Sequence, residues 1–173
     1  MSAVQNTLLA TLNFPDLLFA QPFIAARLAN FRHFRSGVRV TFRVSGNRFL
    51  YGVLVASWDP ATALDANSSH ETNIYAACGF PHVLIDANSV ESDAIDIPYG
   101  HSDVMLDIPS YRSGHIGSVE LAVAAPLRSV NTSSVSSSIT VQVYAQFIDP
   151  VVSMPTPTIS VASPDPVVYT VLP

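Results

Sequence analysis

Between Gly37 and Val44 the chain alternates, with Val38, Val40, Phe42 and Val44 on one parity and Arg39, Thr41 and Arg43 on the other. A period of two predicts a half-buried β-strand with one wet face. Phe49–Ser57 is apolar on both parities apart from Gly52, which predicts a strand covered on both sides. Ser45-Gly46-Asn47-Arg48 between them has the residues a tight reversal uses. Trp58-Asp59-Pro60 closes the segment, because proline has no donor for a ladder. The cleanest alternation comes late: Ile139, Val141, Val143, Ala145 and Phe147 share one face, with Thr140, Gln142, Tyr144 and Gln146 on the other.

Further strands are expected within 1–13 and at 81–86, 92–98, 103–108 and 117–125, the last ending at Pro126. Helical spacing is rare. Pro22 suits a first helical turn, and Phe23/Ile24, Leu28 and Phe31 recur at helical spacing, so a short helix is predicted near 22–31. A second helical turn is expected within Glu71–Cys78, before Gly79, and polar loops at Ala61–Phe80 and Ser129–Ser138. Prolines at 150, 155, 157, 164, 166 and 173 speak against an internal strand after residue 150. The expected organisation is one domain over 1–150 and an extended Pro-rich tail over 151–173. Eight strand candidates separated by turn signals predict an all-β sandwich, and an eight-stranded jelly roll is one of few such arrangements at this length.

Composition changes the picture in one respect. Only 12% of the 173 residues are charged, about half the usual share of a soluble domain. No run approaches the roughly 18–20 apolar residues of a spanning helix, and no secretory signal opens the chain. A surface that poor in charge is expected to lie against other proteins. The net charge is −5, there is no lysine, and six of the eight arginines fall between Arg27 and Arg48. A large basic nucleic-acid face is therefore not expected, and the arginines are read as ion-pair and interface residues.

Several blocks together resemble a known family. FIAARLANFRHFR leads into RSGVRVTFRVSG; FLYGVLVASWDP, PHVLIDANSVESDAIDIPY, GSVELAVAAPLRSV and SITVQVYAQFIDP follow in order. In this order they resemble capsid proteins of the picorna-like viruses (picornavirus, dicistrovirus, iflavirus and marnavirus types), over about residues 15–150. The resemblance implies an eight-stranded jelly roll with sheets B-I-D-G and C-H-E-F and one or two short helices. On that topology B lies near 7–13, C at 37–45, D at 49–57, E at 82–87, F at 92–98, G at 103–108, H at 117–125 and I at 138–148, with C and D in different sheets. It implies a structural, non-enzymatic subunit of an icosahedral, pseudo-T=3, sixty-copy shell of a small positive-strand RNA virus. The protein would be released from a polyprotein, assembled with other capsid proteins in the host cytoplasm and found in the virion, its C-terminal segment on the particle exterior. Family members carry a long N-terminal arm, whereas little precedes the first strand here. Contact with the enclosed genomic RNA then falls to such an arm or to a partner, and a host receptor meets the loops. The alternative is a stand-alone jelly-roll module that binds carbohydrate or another ligand, for which an aromatic-lined saccharide groove is wanting.

No catalytic, cofactor-binding or metal-ligating residue is assigned. Asp86, Glu91, Asp93, Asp96, Asp103 and Asp107 offer oxygens suited to Ca²⁺, but without EF-hand spacing they are read as solvated strand ends and interface pairs. Histidines 33, 70, 82, 101 and 115 form no HxH or HExxH pattern, which argues against a cupin-type metal enzyme. There is no GxSxG elbow. Cys78, the only cysteine, is expected as a small buried hydrophobe. Asn67-Ser68-Ser69 and Asn131-Thr132-Ser133 are sequons read as ordinary loops. Trp58 and Tyr51 are expected in the core, with a ligand pocket as the other reading.

Overall fold

A single long strand, β2 (Phe31–Ser45), carries one of the two sheets on both its edges. In the computed structural model, which describes residues 5–45, 49–60, 74–89, 92–101, 103–110, 116–129 and 138–156, β8 (Thr140–Pro155) pairs with β2 along its whole length, from Phe31↔Pro155 to Ser45↔Thr140. The other edge of β2 takes β5 (Ser92–Ile97) opposite Val38–Arg43 and the two-residue β6 (Leu106–Asp107) opposite His33 and Phe34. The second sheet has the order β1 (Leu8–Phe14), β7 (Gly117–Ser129), β3 (Leu50–Asp59), β4 (His82–Asp86), and every pairing is antiparallel. Three short helices, α1 (Asp16–Phe19), α2 (Pro22–Leu28) and α3 (Ile74–Ala77), complete the order.

The alternation read from the sequence is what closes the sandwich. Val38, Val40 and Phe42 point inward from β2, Ile95 and Ile97 from β5, Leu54, Ala56 and Trp58 from β3, and Val119, Leu121 and Val123 from β7. These side chains are removed from water, at roughly 1.5–3 kcal/mol for each large one. A smaller cluster lies under the helices. There Phe34 meets Phe147 edge-on at 4.8 Å and Phe19 at 5.3 Å between ring centroids, beside Leu28 and Leu106. Pro22 opens α2 in its first turn, as expected.

The sheets differ from the expected assignment. Strands numbered by their order along the chain were expected to group 37–45 with 82–87, 92–98 and 117–125. Instead the 31–45 strand shares a sheet with 92–97, 106–107 and 140–155, while 8–14, 50–59, 82–86 and 117–129 form the other. A shift of one letter restores both orders: β1 is C, β2 is D, β3 is E, β4 is F and β5 is G, with β7 and β8 keeping H and I. The candidate at 103–108 shrinks to the short β6, and B has no counterpart among the described residues. Alternation says that a strand has a buried face, not which sheet it joins, and the 103–108 segment supplies only the two-residue β6. The expectation that 37–45 and 49–57 sit in different sheets holds, as does the inner position of the second, since β3 lies between β7 and β4.

Element lengths differ too. α2 ends at Leu28, and Phe31–Ser36 extends the strand in place of the helix. Phe34 and Ser36 continue the inward parity of Val38 and are buried. β7 runs past Pro126 to Ser129. The register shifts opposite Tyr51–Val53, and the irregularity admits a residue without an N–H. Gly52 makes room for it, since an added Cβ would lie 3.0 Å from Leu127 Cα. β8 likewise passes Pro150 to Pro155, so residues 151–155 belong to the sheet instead of a tail. An edge strand tolerates proline on its outward side. The turn within Glu71–Cys78 is α3, a single turn at Ile74–Ala77. Loop residues 61–73 and 130–137, both sequons, His70, Glu91, His115 and the tail from Pro157 lie outside the described residues.

Candidate assembly surfaces

The outer face of the β2 sheet is polar in rows. Arg39 stands opposite Asp96 on β5 and Gln146 on β8, and Arg43 opposite Ser92 and Gln142. Direct opposition lets the Arg39 guanidinium meet the carboxylate with two bonds, Nε to Oδ1 and Nη2 to Oδ2, both 2.6 Å. This arrangement raises Arg39 and holds Asp96 below the ordinary carboxylate range. Further along, the Ser110 hydroxyl donates to Asp107 Oδ2 at 2.6 Å and Arg32 Nε donates to Oδ1 at 3.1 Å. Those contacts, the Ser110 bond foremost, lower the Asp107 carboxyl. Two more arginines lie over rings: Arg27 is 5.1 Å from the Phe23 centroid and Arg35 5.3 Å from that of Tyr99. Burial raises the Tyr99 hydroxyl. Arg27, Arg32, Arg35 and Arg39 are thus engaged by carboxylates or aromatic faces.

Among the described residues, the carboxylates named from the sequence do not converge. Asp96 and Asp107 face arginines at different points along β2, Asp86 accepts the Asn88 amide at 3.0 Å, and Asp103 donates its amide to His101 Nδ1 at 3.1 Å. No group of three metal-ligating side chains exists among the described residues. His82 Nδ1 lies 2.9 Å from the Phe80 carbonyl, and His33 Nε2 is 4.0 Å from Asp107. Trp58 is in the core, its Nε1 donating to the Ile116 carbonyl at 3.1 Å, whereas Tyr51 is exposed on the far sheet. Cys78 is exposed, contrary to the expected burial. It follows the single turn of α3, where its amide bonds to the Ile74 carbonyl.

What the molecule presents instead is apolar surface. Phe23 on α2 is 71% exposed and Tyr75 on α3 82% exposed, and Leu84, Val151 and Met154 are open as well. A groove of about 350 Å³ runs between α2 and β8, lined by Phe23, Ile24, Leu28, Phe31, Phe147 and Val152, with Arg27 at its edge. A second depression of about 590 Å³ is lined by Tyr99, Asp96, Ile148 and Arg35. Helical spacing hid Phe23 as a core residue of α2; nothing local in the sequence marks it as exposed. Large, low-charge apolar surface of this kind suits permanent interfaces between subunits. None of the described helices is long and apolar enough to cross a membrane.

Comparison with known proteins agrees with this geometry. The family model described as picornavirus capsid protein matches residues 2–106. The genome polyprotein of Deformed wing virus is 28% identical over 101 residues, which cover 56% of this chain and 4% of the polyprotein. Among solved structures, a chain of the native Kashmir bee virus virion at neutral pH superposes with a TM-score of 0.77 at 21% identity, over 89% of this chain and 66% of that one. A chain of Triatoma virus does so with a TM-score of 0.77 at 26% identity, over 88% and 61% respectively. The chain thus spans about two thirds or less of these two virion chains.

Proposed function

Because the chain belongs to the picornavirus capsid protein family, we propose that it is a structural subunit of the icosahedral, pseudo-T=3 shell of a small positive-strand RNA virus, and that its work is assembly and not catalysis. The observation that carries the reading is the pairing of a rigid jelly-roll wedge with apolar, charge-poor flanks on α2, α3 and β8. The two sheets supply stiff walls, and closed symmetry turns repeated contacts between such wedges into a finite shell instead of a filament. Exposed aromatic residues such as Phe23 and Tyr75 supply the anchors that dominate interface energies.

In this reading the partners are the other capsid proteins of the same virus, all released from one polyprotein and assembled in the host cytoplasm. The genomic RNA is enclosed with little direct contact, in keeping with arginines already engaged by Asp96, Asp107 and two rings. The residues after Pro155 run over the particle exterior, where a host receptor meets them and the loops. Negative-stain microscopy with sedimentation on natively purified protein tests the proposal. Closed shells that contain other jelly-roll chains are expected. A discrete monomer or trimer that binds a saccharide overturns it.

A further inference from the structure

Arg39 and Arg43 project from the same outer face of β2 and meet different surroundings. Opposite Arg39 on β5 is Asp96, which takes the guanidinium with two bonds of 2.6 Å. Opposite Arg43, on the same strand and in the same ladder, is Ser92. On the other side of Arg43 stands Gln142 of β8, whose Oε1 accepts the Tyr144 hydroxyl at 3.1 Å. The exposed row Ser92, Arg43, Gln142 therefore offers hydroxyl, guanidinium and amide donors, and Arg43 has no ion pair among the described residues. Between the two arginine rows, Ala94 and Thr41 stand opposite each other with short side chains. Tyr144, opposite Thr41 on β8, keeps 55% of its surface exposed. The face is thus a low floor of Ala94 and Thr41, with an aromatic ring at one side and an uncompensated cation at its end.

We propose that Arg43 anchors a contact with a carboxylate on another capsid protein of the shell, a contact that rests on the capsid reading and specifies one of its interfaces. An aspartate or glutamate on a neighbouring loop takes the place at Arg43 that Asp96 takes at Arg39. Its two oxygens accept from the planar guanidinium side by side, and Ser92 and Gln142 donate at the flanks. The rest of the loop lies on Ala94 and Thr41 against the Tyr144 ring; tyrosine and arginine are the side chains that interfaces concentrate. Three features select this occupant. A small free anion gains little from an exposed guanidinium in water, whereas a protein surface that excludes water strengthens the pair. A nucleic-acid backbone is held by many cations, and on this face Asp96 neutralises Arg39 and leaves Arg43 alone. The other residues of the face, Ser92, Ala94, Thr41, Gln142, Tyr144 and Gln146, are uncharged, so covering them strands no second charge.

The chain has no lysine, so Arg43→Lys gives it a single side-chain amine, which a carbodiimide joins to a carboxylate in direct contact with it. Shells carrying Arg43→Lys are treated in this way and their peptides read by mass spectrometry. An amide bond from position 43 to an aspartate or glutamate of a chain of different sequence is expected. Arg39→Lys, treated alike, is expected to couple to Asp96 of its own chain, which shows that the chemistry reaches this face. In the unchanged protein, phenylglyoxal is expected to modify Arg43 in the chain alone and to lose that reaction in shells. This comparison decides the matter where Arg43→Lys enters no shell or neither amine couples. Coupling only within the chain, to Glu91 or Asp93, overturns the proposal. So does no coupling while Arg39→Lys reacts, equal modification of Arg43 in both states, or ultraviolet cross-linking of the Arg43 peptide to RNA. If the unchanged protein enters no shell with other proteins, the capsid reading falls and this contact with it. Shells that form while position 43 meets no carboxylate of another chain leave the capsid reading standing and remove this contact alone.

Discussion

Gly117 and Trp58 occupy one corner of the sandwich so closely that no side chain fits between them. Gly117 has φ +102°, and a Cβ there would overlap Trp58 Nε1 and lie 2.5 Å from the Asp59 carbonyl. The indole in turn donates to the carbonyl of Ile116, the residue before the glycine. The start of β7 is thereby locked to the end of β3. Gly117→Ala must open this corner and adopt a backbone conformation that L residues avoid, which costs on the order of 1–3 kcal/mol for the backbone alone. Chemical denaturation is expected to show a loss of at least that size. Gly100→Ala, where an added Cβ meets nothing closer than 3.8 Å, is expected to change little.

Phe34 is 1% exposed and packs edge-on against both Phe19 and Phe147. It ties β2 to Phe19 of α1 and to Phe147 of β8. Phe34→Ala leaves a cavity under the helices and is expected to cost about 3–5 kcal/mol. Phe23→Ser, at an exposed ring on the same helical layer, is expected to leave stability within about 0.5 kcal/mol. Thermal unfolding of the two variants side by side separates a packing residue from a surface one.

Asp96 titrates low in the folded protein because Arg39 bonds to it. A carboxyl whose folded pKa lies below its unfolded value contributes stability that is fully present above the unfolded value of about 3.9 and is lost as pH falls through the folded one. The same sign holds for Asp107 with Ser110 and Arg32. Carboxyl NMR titration is expected to place both midpoints below the ordinary range. Arg39→Gln is expected to return Asp96 toward it and leave Asp107 in place. Because both pairs are solvent-exposed, the effect on stability is expected to be small and to fade with salt.

Periodicity is a local property, and so the strands at 38–44, 50–57, 82–86, 92–97 and 139–147 were legible in the residues themselves. An alternating run has one low-energy way to bury its apolar face. The proline-led helix at 22–28 was legible for the same reason, and with these elements came the all-β sandwich. Where Phe31 meets Pro155, or Leu8 meets Ala122, the partner lies far along the chain and nothing nearby encodes it. Only the tertiary structure decided that β2 joins β8 and not β7, that β7 and β8 run through Pro126 and Pro150, and that 103–108 keeps two paired residues. Packing also decided the surface. Cys78 and Phe23, apolar by composition, face outward because α3 is a single turn and α2 barely two, too short to bury more than one side. The different surroundings of Arg39 and Arg43 belong to the same class, since alternation puts both on the wet face of β2, whereas the residue opposite each is set by the pairing with β5.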